Sequence, residues 1–259
     1  MHNNNLNTGT IVSNILKRAL PAFLTSALFL AMSCTMFYTD TGISTDTKSI
    51  PEEQSPKIEF QHISLNGAEA STREASVRVR RESGGHGSGA YFLFEGYHVV
   101  FTAAHVVIGE RTFTIIDKYG NKRLGTLAYL ERNADFAIIL IPAFKKIKPI
   151  NFKLPDNKSA NEIGKKLIFS GYPGSQSLRT VRALIAGYEG KRFVLHSTAW
   201  KGSSGSCVFD SSGNFVGIVY ALSLSQFKGQ PVLLESMVWV EPYTSINWGS
   251  AKRFIKALN

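Results

Sequence analysis

Three short segments carry side chains that can do chemistry together, and they come in the order His, Asp, Ser. They are Phe101-Thr102-Ala103-Ala104-His105-Val106, Asn133-Ala134-Asp135-Phe136-Ala137-Ile138-Ile139-Leu140 and Gly202-Ser203-Ser204-Gly205-Ser206. A serine hydroxyl is a poor nucleophile at neutral pH and needs a neighbouring base. Taken singly, each segment has an ordinary reading. A histidine after an apolar strand is a core or capping residue. An aspartate before a strand forms a turn, and a Gly-Ser pentapeptide is a loop.

The elements that must position these residues read as strands. From Ala75 onward Val77 and Val79 alternate with Arg78 and Arg80, the period of a half-buried strand. Ser83 to Gly89 is a glycine-rich turn, followed by apolar or alternating runs. These are Ala90–Phe94, His98–Thr102, Thr112–Ile116, Leu124–Leu130, Phe136–Ile141, Leu167–Ser170, Thr180–Tyr188, Phe193–His196, Ser206–Phe209, Phe215–Tyr220 and Met237–Val240. Turn residues punctuate them at Asp117–Asn121, Pro155–Asn157, Gly171–Gly174 and Asp210–Asn214. Many short punctuated strands predict an all-β barrel or sandwich. The spacing predicts one helix over Ile246–Leu258, with Phe254, Ile255 and Leu258 on its apolar face.

Together, and in this order, the three segments resemble those of the trypsin-like (chymotrypsin-fold) serine peptidases. Thr-Ala-Ala-His matches that family's histidine motif, Asp-Phe-Ala-Ile-Ile-Leu resembles its aspartate motif, and Gly-Ser-Ser-Gly-Ser resembles its nucleophile loop. Gly213 to Val219 is similar to the hairpin after the nucleophile, and Gly171-Tyr172-Pro173-Gly174 to a turn frequent in bacterial members. The resemblance covers residues 75 to 259 and points to the bacterial branch of glutamyl endopeptidases and high-temperature-requirement proteases, here with no PDZ domain before Asn259. It implies two six-stranded antiparallel Greek-key barrels, 75–150 and 151–245, followed by a short helix.

The resemblance also implies roles. His105 would take the Ser204 proton and return it to the leaving amine, and Asp135 would hold the imidazole tautomer. Backbone amides of Gly202 and Ser204 would form the oxyanion hole. Ser203 stands where most members carry Asp or Asn, so activation by an N-terminal ion pair is not expected. Thr198 with Tyr220, Ala221 and Leu222 would line the primary pocket. Its neutral character predicts a small or medium apolar side chain rather than a basic or acidic one. Cys207 is expected to point into the barrel as a small apolar residue. No cofactor or metal is required.

The N-terminal region is of another kind. Lys17 and Arg18 are followed by the largely apolar Ala19–Ser33, the layout of a secretory signal. Leu30-Ala31-Met32-Ser33-Cys34 resembles a bacterial lipobox, which would make Cys34 a lipidation site. The uncharged stretch runs on to Thr39, so an uncleaved membrane anchor and ordinary cleavage stay open. Each of the three exports the rest of the chain. Residues 1–33 are thus a signal or anchor, and the polar residues 34–74 a tether.

The 259 residues are 44% hydrophobic and 19% charged, which excludes wholesale disorder and a multi-span membrane protein. The two cysteines, Cys34 and Cys207, form no disulfide framework and no zinc pattern. The net charge of +10 fits nucleic acid or an anionic membrane. No nucleic-acid motif accompanies it, and aromatics do not interleave with Lys145, Lys146, Lys148, Lys165, Lys166 or Arg179. The expectation is an exported, membrane-tethered endopeptidase of the cell envelope acting on proteins or peptides. A catalytically silent binding domain and a basic membrane- or nucleic-acid-binding protein are the rivals. The oligomeric state is left open.

Overall fold

The computed structural model describes residues 64–155, 162–174, 176–227 and 230–258, with the backbone alone over 221–235. The leader, Cys34 and most of the expected tether lie outside the described residues. Among the described residues, no helix is long and apolar enough to cross a membrane.

A first barrel is built from β1 (Ser76–Arg81), β2 (His86–Phe94), β3 (Tyr97–Ala103), β4 (Thr112–Ile116), β5 (Lys122–Glu131) and β6 (Phe136–Leu140). The strand order is β1-β4-β5-β6-β3-β2, and β1 also pairs with β2, which closes the ring. A two-residue strand, β7 (Ile150–Asn151), adds in parallel to β2. The second barrel comprises β8 (Lys166–Gly171), β9 (Arg179–Glu189), β10 (Arg192–His196), β11 (Cys207–Phe209), β12 (Phe215–Phe227) and β13 (Gln230–Pro242). It closes in the order β10-β13-β12-β11-β8-β9. The expected all-β double barrel is therefore the architecture of the chain.

Alternation explains each sheet. On β4, Phe113 and Ile115 are fully buried while Thr112, Thr114 and Ile116 are half-buried. The second barrel closes on its own core, which includes Phe169, Ile185, Phe193, Leu195, Val208, Val216 and Val240. A larger cluster fills the first barrel and runs into the seam between the two, where Phe209 and Phe215 of the second barrel meet Phe92 and Phe101 of the first. Phe92 and Phe101 stack at 4.4 Å, and Trp248 closes over Phe152 at 4.7 Å. Each such ring contributes about 1.5–3 kcal/mol by leaving water.

Cys207 belongs to this seam cluster, not to the interior of its own barrel. The pleat puts Val208 inside the second barrel and so turns its neighbour Cys207 outward, where Sγ lies 3.6 Å from Phe101 O. The glycine-rich turn is also shorter than expected, because β2 already starts at His86. Gly87 is a strand residue: a β-carbon there would lie 2.6 Å from Val106 Cγ2 and 3.0 Å from Ser204 O. It is glycine for close approach, not for turning.

A helix occupies the end of the segment that composition reads as tether. This is α1 (Gly67–Glu74), started by a capping box in which Asn66 Oδ1 accepts from Glu69 N and Glu69 Oε2 accepts from Asn66 N. It is fastened to β9, where Arg182 donates through Nη2 and Nε to the Glu69 carboxylate at 2.6 and 2.8 Å. Arg73 Nη1 donates to Thr180 Oγ1 at 2.5 Å. At the other end, the C-terminal helix covers Trp248–Lys256 and buries Ala251 and Ile255. Phe254 and Leu258 are exposed, contrary to expectation, because Trp248 at the helix start sets the inward face at 248, 251 and 255.

Candidate active site

His105 and Asp135 are brought together by the register of two strands. β3 ends at Ala103, which pairs with Phe136, the first residue of β6. His105 stands two residues beyond one strand, on the short helix α2 (Ala104–Val107), and Asp135 one residue before the other. Ala104 N donates to Asp135 O at 3.0 Å. The Asp135 carboxylate then meets His105 twice, with Oδ1 accepting from its backbone N at 2.9 Å and Oδ2 lying 2.7 Å from its Nδ1. Asp135 adopts a φ of 41°, a left-handed conformation that Asp tolerates better than most residues. Its side chain is 8% exposed and that of His105 42%, so the acid is sheltered while the imidazole edge reaches solvent. With Nδ1 engaged, Nε2 is the nitrogen free for proton transfer.

Ser204 lies on a tight turn between β10 and β11. Ser203 N donates to Trp200 O at 2.8 Å and Ser206 N to Ser203 O at 3.0 Å. The buried Ser203 accepts at Oγ from Trp200 N at 3.3 Å, a local bond within the turn. Gly202 has a φ of +99°, a region where side chains are strained. Lys201 O accepts from Gly174 N at 2.6 Å. In a planar trans peptide, Gly202 N–H therefore points away from Gly174. Among the described residues, neither Gly202 N–H nor Ser204 N–H meets a hydrogen-bond acceptor.

The turn presses against the strand that leads to His105. A β-carbon on Gly205 would fall on Ser88 O and Thr102 Oγ1, and lie 3.0 Å from Ala103 N. Gly205 N donates to Val219 O at 2.9 Å, and the next residue, Tyr220, stands edge-on to the His105 ring at 6.1 Å. The serine turn is thus packed against the end of the strand that leads to His105 and Asp135.

The family model for the trypsin-like peptidase domain matches residues 87–218, a span that holds all three motif segments. The chain belongs to the trypsin-like peptidase family. No curated protein matches it. Among solved structures, the chain is similar to the active form of the Rv3671c protease from M. tuberculosis, at 19% identity and a TM-score of 0.59, covering 72% of this chain and 84% of that one. A serine endoprotease from Yersinia pestis matches at 20% identity and 0.59, covering 74% and 67%. The HtrA-type protease AlgW with tripeptide matches at 17% identity and 0.55, covering 70% and 60%. These likenesses are of fold.

In this peptidase the expected pocket residues separate. Thr198 lines a cavity of about 400 Å³ beside the serine turn, together with Phe169, Arg179, Val181, Trp200 and Ser203. Tyr220 instead packs between His105 and Arg192, whose guanidinium carbon lies 4.1 Å from the ring centre. Arg192 Nε donates to the buried Glu241 Oε2 at 2.7 Å, and that hydrogen bond pushes the Arg192 pKa up. The side chains of Ala221 and Leu222 lie outside the described residues.

Three neighbours of the turn escape a sequence reading. Ser88 and Tyr172 are buried, and His86 Nε2 lies 2.9 Å from Tyr172 O. Burial pushes the Tyr172 hydroxyl up to about 12, so it stays neutral. His86 and Ser88 lie in the segment that composition reads as a glycine-rich turn and Tyr172 in the Gly-Tyr-Pro turn, and neither pattern signals contacts across the seam. Burial raises the Cys207 thiol too, which opposes thiolate chemistry there. Among the described residues, no three His, Cys, Asp or Glu side chains converge as a metal site.

Proposed function

We propose that the chain is an exported serine endopeptidase working through His105, Asp135 and Ser204. The carrying observation is the doubly bonded Asp135–His105 pair beside a glycine-flanked serine turn. Ser204 Oγ attacks the scissile carbonyl as its proton passes to His105 Nε2. Asp135 stabilises the imidazolium, and the N–H groups of Gly202 and Ser204 receive the oxyanion. His105 then protonates the leaving amine. Water, activated by the same base, hydrolyses the acyl-enzyme and restores Ser204.

The substrates are proteins or peptides. Thr198, neutral where the resemblance places the primary pocket, supports a small or medium apolar side chain next to the scissile bond. The leader and the Cys34 motif support a site of action outside the cytoplasmic membrane, tethered to it by lipid or an anchor.

A fluorophosphonate probe tests the chemistry. The wild type should label covalently, and Ser204→Ala should not. A folded wild type that stays unlabelled would favour the silent binding domain. Radiolabelled lipid should enter the full chain and not Cys34→Ser; incorporation into that variant would remove the lipobox reading. A peptide library cleaved mainly at basic or acidic residues would overturn the apolar pocket.

A further inference from the structure

Ser88 is fully buried, and every one of its polar groups is engaged. Its Oγ donates to Gly202 O at 2.7 Å and accepts from Tyr172 N at 2.9 Å. Its N–H donates to Ser204 O at 2.8 Å, and its carbonyl accepts from Thr102 Oγ1 at 2.7 Å. A hydroxyl has a single hydrogen, and here it is committed to Gly202. Ser88 lies on β2 of the first barrel, while Gly202, Ser204 and Tyr172 belong to the second. Thr102 lies three residues before His105. One residue therefore ties the base-bearing strand to both carbonyls that flank the nucleophile turn.

The bond to Gly202 has a directional consequence. Glycine at a φ of +99° has no side chain to resist rotation of its peptide planes. Three bonds set those planes: Gly174 N to Lys201 O on one side, and on the other Ser88 Oγ to Gly202 O together with Ser203 N to Trp200 O. We infer that Ser88 is a positioning residue: its hydroxyl holds Gly202 O, and with it the Gly202–Ser203 peptide, which limits rotation about Gly202 and keeps the N–H of the adjoining Lys201–Gly202 peptide presented to the transition-state oxygen. This rests on the peptidase reading above. A purely structural serine would affect stability and leave turnover of the folded enzyme alone.

The test compares wild type with Ser88→Ala on one chromogenic peptide, with active sites titrated. The expected result is a fall in kcat of about tenfold to a hundredfold, below the loss seen when an oxyanion donor itself is removed. KM should stay within about twofold, since the bond acts on the transition state. Affinity for a peptide aldehyde, which forms a tetrahedral adduct with its oxygen in the oxyanion position, should fall by the same factor as kcat. Ser88→Cys, similar in size with a weak donor, should lie between. An unchanged kcat in labelled Ser88→Ala, or a lower melting temperature alone, overturns the inference and leaves the peptidase reading standing. If the wild type does not label, the peptidase reading fails, and with it this role for Ser88. Amide exchange at Gly202 to Gly205 then reports the residual hold: faster exchange in Ser88→Ala keeps Ser88 as the anchor of the turn, and equal exchange removes that too.

Discussion

Asp135 holds His105 at two points, by the ring Nδ1 and by the backbone N–H, with one carboxylate oxygen for each. The pair is therefore fixed in both ring rotation and position. Asp135→Asn should keep the backbone, because Asn also tolerates the left-handed φ of 41°. Its amide NH₂ would face Nδ1 and impose the tautomer that carries hydrogen on Nε2. That tautomer cannot accept the Ser204 proton, so kcat should fall by about 10⁴-fold with little change in melting temperature. A loss under tenfold in steady-state assays would contradict the assigned role.

Gly205→Ala tests the fit of the turn against β3. The new β-carbon meets Ser88 O and Thr102 Oγ1 at a φ of +85°. The left-handed conformation alone costs about 1–2 kcal/mol, and the clash adds to it. The melting temperature should drop by more than about 5 °C, and fluorophosphonate labelling should be lost. A variant that melts and labels like wild type would refute the described packing.

Cys207 should be chemically silent in the folded state. It is buried against Phe101 O, and burial raises its pKa. In a Cys34→Ser chain it is the one remaining thiol. A disulfide reagent should react only after denaturant is added, and rapid colour under native conditions would mean the seam opens.

The tie between α1 and β9 should depend on pH in a known direction. The Arg182 hydrogen bond lowers the Glu69 carboxyl from 4.5 to about 2. A depressed acid contributes stability above its unfolded pKa and loses it as pH falls through the folded value. The gap in melting temperature between wild type and Glu69→Gln should be full at pH 6. It should shrink from about pH 4.5 toward pH 2. A constant gap would show that the charge on Glu69 is not what binds the helix.

Local patterns made much of this molecule legible. Val77, Val79, Phe113 and Ile115 announce strands because alternation is a property of neighbours. His105 and Asp135 each adjoin an apolar strand, so their motifs are local too. Ser88 was hidden because its partner Gly202 is 114 residues away and Tyr172 is 84 away. The glycines around it also spell a turn by composition, although Gly87 serves close packing. The helix α1 was masked by polar residues, since its tie to β9 is ionic rather than apolar. The inward face of the last helix has no local signal, because Trp248 finds its partners Phe94, Phe136 and Phe152 in distant elements.

Gly87 and Gly205 have a consequence for recombination. Gly205 lacks the space for a β-carbon because Ser88 O and Thr102 Oγ1 of the first barrel occupy it, and Gly87 is hemmed in by Val106 of its own barrel and by Ser204 O of the other. The halves are matched like two castings with no gasket. A hybrid that grafts a relative's second barrel onto this first one inherits that zero clearance. It should assemble a working site only where the donor also carries glycine at the position of Gly205, however well its remaining surface agrees.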